Sequence, residues 1–147
     1  MTNHLFDGLF DGVDQASHFA VLPQDRTITY RDVFETSAQL AHGLVALDVK
    51  PGDRVAAQVP KSIEAVLLYL ACVRSGAVFL PLNTAYTSAE LDYFVGDAAP
   101  ALFVGMVERD DVPSLTLDTE AGGTLMALLG DEVPPMEVVA RARTDLA

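Results

Sequence analysis

The chain has 147 residues, half of them hydrophobic, and it carries 21 acidic against 9 basic side chains, which gives a formal charge of −12. This length and composition predict one packed globular domain and argue against a disordered chain. The negative charge argues against a nucleic-acid partner and an anionic membrane surface, because both are bound through basic residues.

Three features of the sequence predict a cytoplasmic protein without a membrane partner. The longest uninterrupted apolar run, residues 65–73, is much shorter than the roughly 20 residues that a membrane-spanning helix needs. The first residues lack the basic cluster and long apolar run of a signal peptide. The single cysteine, Cys72, excludes an internal disulfide.

The first third of the chain predicts a short helix, a hairpin and a second helix. Residues 4–13 form an amphipathic pattern with an apolar face made of Leu5, Phe6, Leu9 and Phe10. Two short strands are expected at 19–22 and 27–29, joined by a turn. Thr29, with Asp32 three residues later, is a candidate helix cap. The inner face of the second helix is expected to contain Val33, Phe34, Ala38, Ala41, Leu44 and Val45, with His42 on its polar side.

The middle of the chain predicts three strands that alternate with two helices. The expected strands are 54–59, 78–82 and 101–104, and the expected helices are 62–75 and 87–97. Continuous apolar runs of this kind are typical of strands covered on both faces, which predicts an α/β fold with a parallel sheet. Gly76 fits the position after a helix, and Pro81 is expected at a strand end or a sheet edge.

The pattern weakens after residue 105. We expect a strand at 114–117, a helical turn at 124–129 and an acidic, proline-rich loop at 131–135. Residues 136–147 show no closing element.

The sequence contains few candidates for catalytic or metal-binding residues. The sequence has no glycine-rich phosphate loop, and His4, His18 and His42 are too scattered to form a metal site with one cysteine. Cys72 is expected to pack in the core rather than to act as a nucleophile. The carboxylate pairs Asp110–Asp111 and Asp131–Glu132 are expected to be solvated. We therefore assign no catalytic residue and no metal ligand.

One turn is a candidate binding position on geometric grounds. In open parallel sheets, ligands bind beyond the carboxyl ends of the strands. Asn83, Thr84 and Tyr86 follow the second strand of the expected sheet and would lie at this edge. The alternative is that these residues only pack the turn.

Several segments resemble the N-terminal subdomain of AMP-forming acyl-CoA synthetases, the acyl-adenylate-forming superfamily. The matching segments are 27–33 (TITYRDV), 52–56 (GDRVA), 64–71 (EAVLLYLA) and 73–83 (VRSGAVFLPLN). Other segments look most like malonyl-CoA synthetases, namely 5–10 (LFDGLF), 82–87 (LNTAYT) and 90–94 (ELDYF). The resemblance is strongest over residues 4–105.

The resemblance implies a two-step ligase reaction in the complete enzyme. ATP and a malonate-like carboxylate would form an acyl-adenylate and pyrophosphate, and coenzyme A would then displace AMP, with Mg²⁺ on the phosphates. In the family, the phosphate loop with its lysine and the substrate-binding arginine follow the segment present here. Residues 1–147 are therefore expected to be a truncated, incomplete N-terminal subdomain that is inactive alone and binds none of these cofactors tightly.

Two alternatives remain open. The chain could be a non-catalytic binding or oligomerisation module derived from such an enzyme. A dinucleotide-binding enzyme would have the same sheet, but the glycine fingerprint is missing. The sequence leaves the oligomeric state open.

Overall fold

The computed structural model describes residues 2–130 and 137–147 and has an α/β architecture. The helices are α1 (His4–Phe10), α2 (Tyr30–Ala46), α3 (Ile63–Ser75) and α4 (Ser88–Ala98). The strands are β1 (His18–Val21), β2 (Thr27–Thr29), β3 (Arg54–Gln58), β4 (Val78–Pro81), β5 (Leu102–Gly105) and β6 (Ser114–Thr116). Short 3₁₀ turns lie at Pro23–Asp25 and Met126–Leu128. The expected acidic loop at 131–135, with Asp131 and Glu132, lies outside the described residues.

The main sheet has four parallel strands in the order β4–β3–β5–β6, and β1 and β2 form a separate antiparallel hairpin. Because β4 and β5 flank β3 on opposite sides, right-handed crossovers place α3 and α4 on opposite faces of the sheet. In β3, Val55 and Ala57 pack in the core cluster with α2 and α3, whereas Ala56 packs with Phe103 and with Val95 of α4. This confirms the prediction of a parallel sheet covered on both faces.

Capping residues set the start of α2 and of α4, as the sequence predicts. The hydroxyl oxygens of Thr29 and Thr87 accept hydrogen bonds from the backbone N–H groups of Asp32 and Glu90. The two carboxylates in turn accept hydrogen bonds from the backbone N–H groups of the threonines, at 2.7 and 2.8 Å. Each box satisfies backbone donors that a helix start leaves without an intrahelical partner.

The predictions for Gly76 and Pro81 are also confirmed. Gly76 ends α3 with a φ of +74°, in the left-handed region that glycine adopts without strain. Pro81 is the last residue of β4, which is an edge strand, so its missing N–H is tolerated there.

Helix α1 is shorter and less buried than predicted. It ends at Phe10, three residues earlier than expected, and Gly12 turns the chain with a φ of +73°. Phe6 is buried, whereas Leu9 is 46% exposed. At about 100° per residue, the four side chains span an arc of about 140°, and Phe34 of α2 contacts the side of that arc that carries Phe6 and Phe10.

The buried face of α2 also differs from the prediction at two positions. Val45, expected inside, is 45% exposed, whereas Leu40, which the prediction omits, is fully buried. Leu40 lies close to the line through Val33 and Leu44. Val45 lies on the same side of the helix as the buried Ala38 and Ala41, but it is in the last turn of α2 and is left uncovered there. The exposure of His42 is confirmed.

The side chain of Asn3 joins distant parts of the chain. Its Nδ2 donates to the carbonyl oxygens of Val73, at 2.8 Å, and Val139, at 2.9 Å, and its Oδ1 accepts from the N–H of Phe6 at 3.0 Å. The N–H of His4 donates to the carbonyl oxygen of Arg141, at 3.1 Å. We call this set of contacts the Asn3 junction. It holds the segment after residue 137 against the ends of α1 and α3.

Candidate functional site

A crevice of about 240 Å³ lies at the carboxyl edge of the main sheet. Gln58 at the end of β3, Phe103 in β5 and Thr84 after β4 line it. Leu91 of α4 forms one wall, and residues 106–109 after β5 form the other. We call this cavity the carboxyl-edge crevice. It occupies the place where open α/β sheets bind their ligands.

The predicted binding turn reaches this crevice through one of its three candidates. Thr84 lines the crevice, whereas the side-chain oxygen of Asn83 accepts a backbone hydrogen bond within the turn at 2.9 Å. The carbonyl oxygen of Asn83 also accepts from Nε2 of Gln58 at 3.0 Å. The ring of Tyr86 stacks on Phe94 of α4, at a centroid distance of 4.8 Å. Asn83 and Tyr86 therefore pack the turn, and a binding role for the three residues stays a prediction.

Arg109 is the cation that lines the crevice, and it is held by two carboxylates. Its Nε and Nη2 donate to the two carboxylate oxygens of Asp111 at 2.8 and 2.7 Å, and Nη2 also donates to Asp92 of α4 at 2.8 Å. The guanidinium lies over the ring of Phe103, 5.7 Å from its centroid. These hydrogen bonds raise the pKa of Arg109, and the bond from Arg109 lowers the pKa of the Asp111 carboxyl. Asp110 and Asp111 are both exposed, as expected, and Asp111 in addition forms an ion pair with Arg109.

The residues of the crevice do not fit a nucleotide triphosphate. The hydrogen-bonding fork of Arg109 is directed at Asp111 and Asp92, and Glu108 adds a negative charge to the lining. A triphosphate needs cations or backbone N–H groups that are open to it. Among residues 2–130 and 137–147, no group of three or more His, Cys, Asp or Glu side chains could hold a metal ion. We therefore place no step of nucleotide chemistry on these residues.

Cys72 is fully buried in α3, as predicted. Burial raises the pKa of its thiol, so the reactive thiolate is suppressed at neutral pH. In the part of the chain that the structure describes, no helix combines the length and the hydrophobicity needed to cross a membrane.

A second, apolar groove of about 470 Å³ lies between α3 and the edge strand β4. Its lining includes Val59, Val66, Tyr69, Phe79 and Pro81. We call it the edge groove. Its position beside an edge strand leaves apolar side chains open to solvent on one side of the sheet.

Two residues of the crevice, Gln58 and Arg109, were not predicted from the sequence. Gln58 does carry a signal, because it is the polar residue within the otherwise apolar run 55–59. Arg109 carries a weaker one, since it stands beside the acidic residues Asp110 and Asp111. Its second partner, Asp92, is 17 residues away, so that contact follows from the tertiary fold.

Comparisons with known proteins agree with the architecture. A sequence model for the family described as AMP-binding enzyme matches residues 12–144. The fold resembles the crystal structure of apo MatB from Rhodopseudomonas palustris with a TM-score of 0.91 and 36% sequence identity, over 99% of this chain and 31% of that chain. A structure of ATP-bound MatB matches with the same values.

Two curated relatives are large synthetases. Phosphinothricin tripeptide synthetase PhsC from Streptomyces viridochromogenes is 31% identical over 116 residues, which is 75% of this chain and 11% of that protein. Enterobactin synthase component F from Escherichia coli K12 is 38% identical over 92 residues, which is 60% of this chain and 7% of that protein. The chain thus spans less than a third of the length of each of these relatives.

Proposed function

The chain belongs to the AMP-binding enzyme family, and on this premise we propose that it forms the N-terminal part of an ATP-dependent acid–CoA ligase. The proposed substrate is a malonate-like dicarboxylate. The proposed reaction converts malonate, ATP and coenzyme A to malonyl-CoA, AMP and pyrophosphate through an acyl-adenylate, with Mg²⁺ on the phosphates. The similarity to MatB, a malonyl-CoA synthetase, carries this proposal.

The extent of that similarity favours an acid–CoA ligase over an amino-acid-activating synthetase. The match to MatB covers 99% of the chain at 36% identity. An adenylation–PCP di-domain structure from Klebsiella oxytoca also covers 92% of the chain, but with a TM-score of 0.69 and 22% identity. The MatB structure is therefore more similar in both fold and sequence, with a TM-score of 0.91. The segments at 82–87 and 90–94 support the same choice, because they resemble malonyl-CoA synthetases.

In this proposal the chain supplies a scaffold and the rest of the enzyme supplies the cationic groups. The carboxyl-edge crevice presents a cation that two carboxylates already hold. Binding a triphosphate and a dicarboxylate requires further positive charge, best supplied by a lysine and an arginine. We expect these groups, with a loop rich in Ser, Thr and Gly, in the polypeptide that contains this segment. Residues 1–147 alone are expected to form no acyl-adenylate or acyl-CoA.

A replacement experiment tests whether the segment can serve in such a ligase. Residues 1–147 would replace the matching 31% of Rhodopseudomonas palustris MatB. AMP and thioester formation would be measured with malonate, ATP, Mg²⁺ and coenzyme A. Intact MatB is the positive control, and the isolated chain and the shortened MatB are the negative controls. We expect activity from the chimera and none from the two separate parts.

The outcomes separate the proposal from its alternatives. A folded but inactive chimera would favour a non-catalytic binding or oligomerisation module. Thioester formation by the isolated chain would contradict the proposal that the required cationic groups lie outside residues 1–147. The substrate is tested on the full polypeptide encoded around this segment, by comparing malonate, acetate and amino acids. A preference for an amino acid would favour a synthetase adenylation function and overturn the malonate assignment.

A further inference from the structure

Helix α4 is held to the sheet by little apolar packing. Val95 is its one fully buried residue, whereas α3 buries eight. The cluster beneath α4 is correspondingly small, with Ala56 and Phe103 as its other buried members. Because apolar burial is the main force that fixes a helix to a sheet, other contacts must help to define the position of α4.

Arg109 supplies such contacts, since it joins α4 to the connection between β5 and β6. It reaches Asp92 on the helix and Asp111 on the connection, both within 2.8 Å. Its side chain is 15% exposed, and its bond to Asp111 uses both carboxylate oxygens. The carboxylates of Asp92 and Asp111 are 65% and 58% exposed, so water weakens both ion pairs. The bidentate contact nevertheless fixes the geometry of an arginine that is itself largely buried.

The same residue belongs to one wall of the carboxyl-edge crevice and is bonded to the helix that forms the other. One wall is Leu91, next to Asp92 on α4, and the other is residues 106–109. We propose that Arg109 is a positioning residue that clamps α4 to the β5–β6 connection and so sets the width of the carboxyl-edge crevice. When the clamp is removed, α4 and the connection loosen together, while the core of α2, α3 and β3 stays folded. This holds whether or not the segment belongs to a malonyl-CoA synthetase.

Hydrogen–deuterium exchange of the 147-residue chain, followed by mass spectrometry, tests the clamp. Arg109→Met keeps an apolar stem over Phe103 but removes the charge and the hydrogen-bonding fork. We expect amides in 88–98 and 106–112 to exchange about fivefold to tenfold faster, as local opening becomes easier. Amides in α3 are expected to keep their rates. Arg109→Lys should recover part of the protection, because lysine keeps the charge but cannot make the bidentate contact.

A matched pair of variants on α4 distinguishes the loss of the contact with Arg109 from the loss of one negative charge on the helix. Asp92→Asn and Asp97→Asn each remove one negative charge from the same helix. Asp92 is bonded to Arg109, whereas Asp97 lies exposed near the C-terminal end of α4. We expect faster exchange of 88–98 in Asp92→Asn and unchanged or slower exchange in Asp97→Asn, since a negative charge near a helix C-terminus is unfavourable.

Three results would overturn the proposal. The first is that the amides of 88–98 and 106–112 exchange in Arg109→Met at the wild-type rate. The second is a uniform increase that includes α3, which would indicate global destabilisation. The third is equal effects of Asp92→Asn and Asp97→Asn. If Arg109→Met does not fold, the comparison of the two α4 variants decides, because both leave the bond between Arg109 and Asp111 in place.

Discussion

Replacing Gly43 by alanine measures how closely α2 packs against the 3₁₀ turn at Met126–Leu128. Gly43 is buried in α2, and a methyl group there would lie 2.9 Å from both Cβ and Cδ1 of Leu128. A glycine-to-alanine change inside a helix stabilises by about 1 kcal/mol, whereas overpacking a core costs about 1–3 kcal/mol. Because Cβ of Leu128 is tied to the backbone, the turn itself must move. We expect the free energy of unfolding to fall by about 0–2 kcal/mol.

Gly96 of α4 provides the matched control. A methyl group there has no heavy atom within 4 Å, so Gly96→Ala is expected to stabilise by about 0.5–1 kcal/mol. Urea unfolding followed by circular dichroism gives both values. Combining Gly43→Ala with Leu128→Ala should cost less than the sum of the single changes, because the second change removes the close contacts to Cγ and Cδ1 and leaves only the contact to Cβ. If Gly43→Ala is as stable as Gly96→Ala, the turn at Met126–Leu128 does not pack closely against α2.

Three further predictions concern a thiol, a helix cap and the edge groove. Cys72 should react slowly with a polar thiol reagent in the native chain and rapidly in denaturant; native labelling as fast as that of a free cysteine would contradict its burial. Hydrogen bonds from Thr87 lower the pKa of Glu90, so wild type should be more stable than Glu90→Gln near pH 7. That advantage should vanish as pH falls from about 4 toward 2, and a constant difference in urea unfolding would contradict it. The chain should bind the dye ANS and associate with rising concentration, and Val66→Gln in the edge groove should reduce both. A monomer without dye binding would count against an open groove.

The sequence predicts those parts of the fold that rest on short-range rules. The capping boxes at Thr29 and Thr87, the left-handed Gly76 and the edge position of Pro81 each depend on a few neighbouring residues, and all four are confirmed. The parallel sheet follows from apolar runs and the handedness of crossovers. Burial at the end of a helix does not follow so simply. Val45 lies on the same side of α2 as the buried Ala38 and Ala41, but it is in the last turn and is 45% exposed.

The candidate site was less predictable, because its contacts join residues that are far apart along the chain. The position of Thr84 follows from strand order, and its place in the crevice agrees with that expectation. The contact between Arg109 and Asp92 requires the packing of α4 on the sheet, which no local pattern encodes. The same is true of Asp110 and Asp111. Composition alone does not distinguish an acid that is only solvated from one that also forms an ion pair with an arginine.

The Asn3 junction has a consequence for the order of events during protein synthesis. The partners of Asn3, Val73 and Val139, follow it by 70 and 136 residues. At a synthesis rate of roughly 5–20 residues per second, the last partner appears roughly 7–27 s after Asn3 itself. The unit of β3, α3 and β4 is complete well before that time. Helix α1 can pack early, because Phe6 and Phe10 contact Phe34 of α2. The hydrogen bonds of Asn3 are completed last, so the N-terminal end of α1 stays open to solvent until the segment around Val139 has been made.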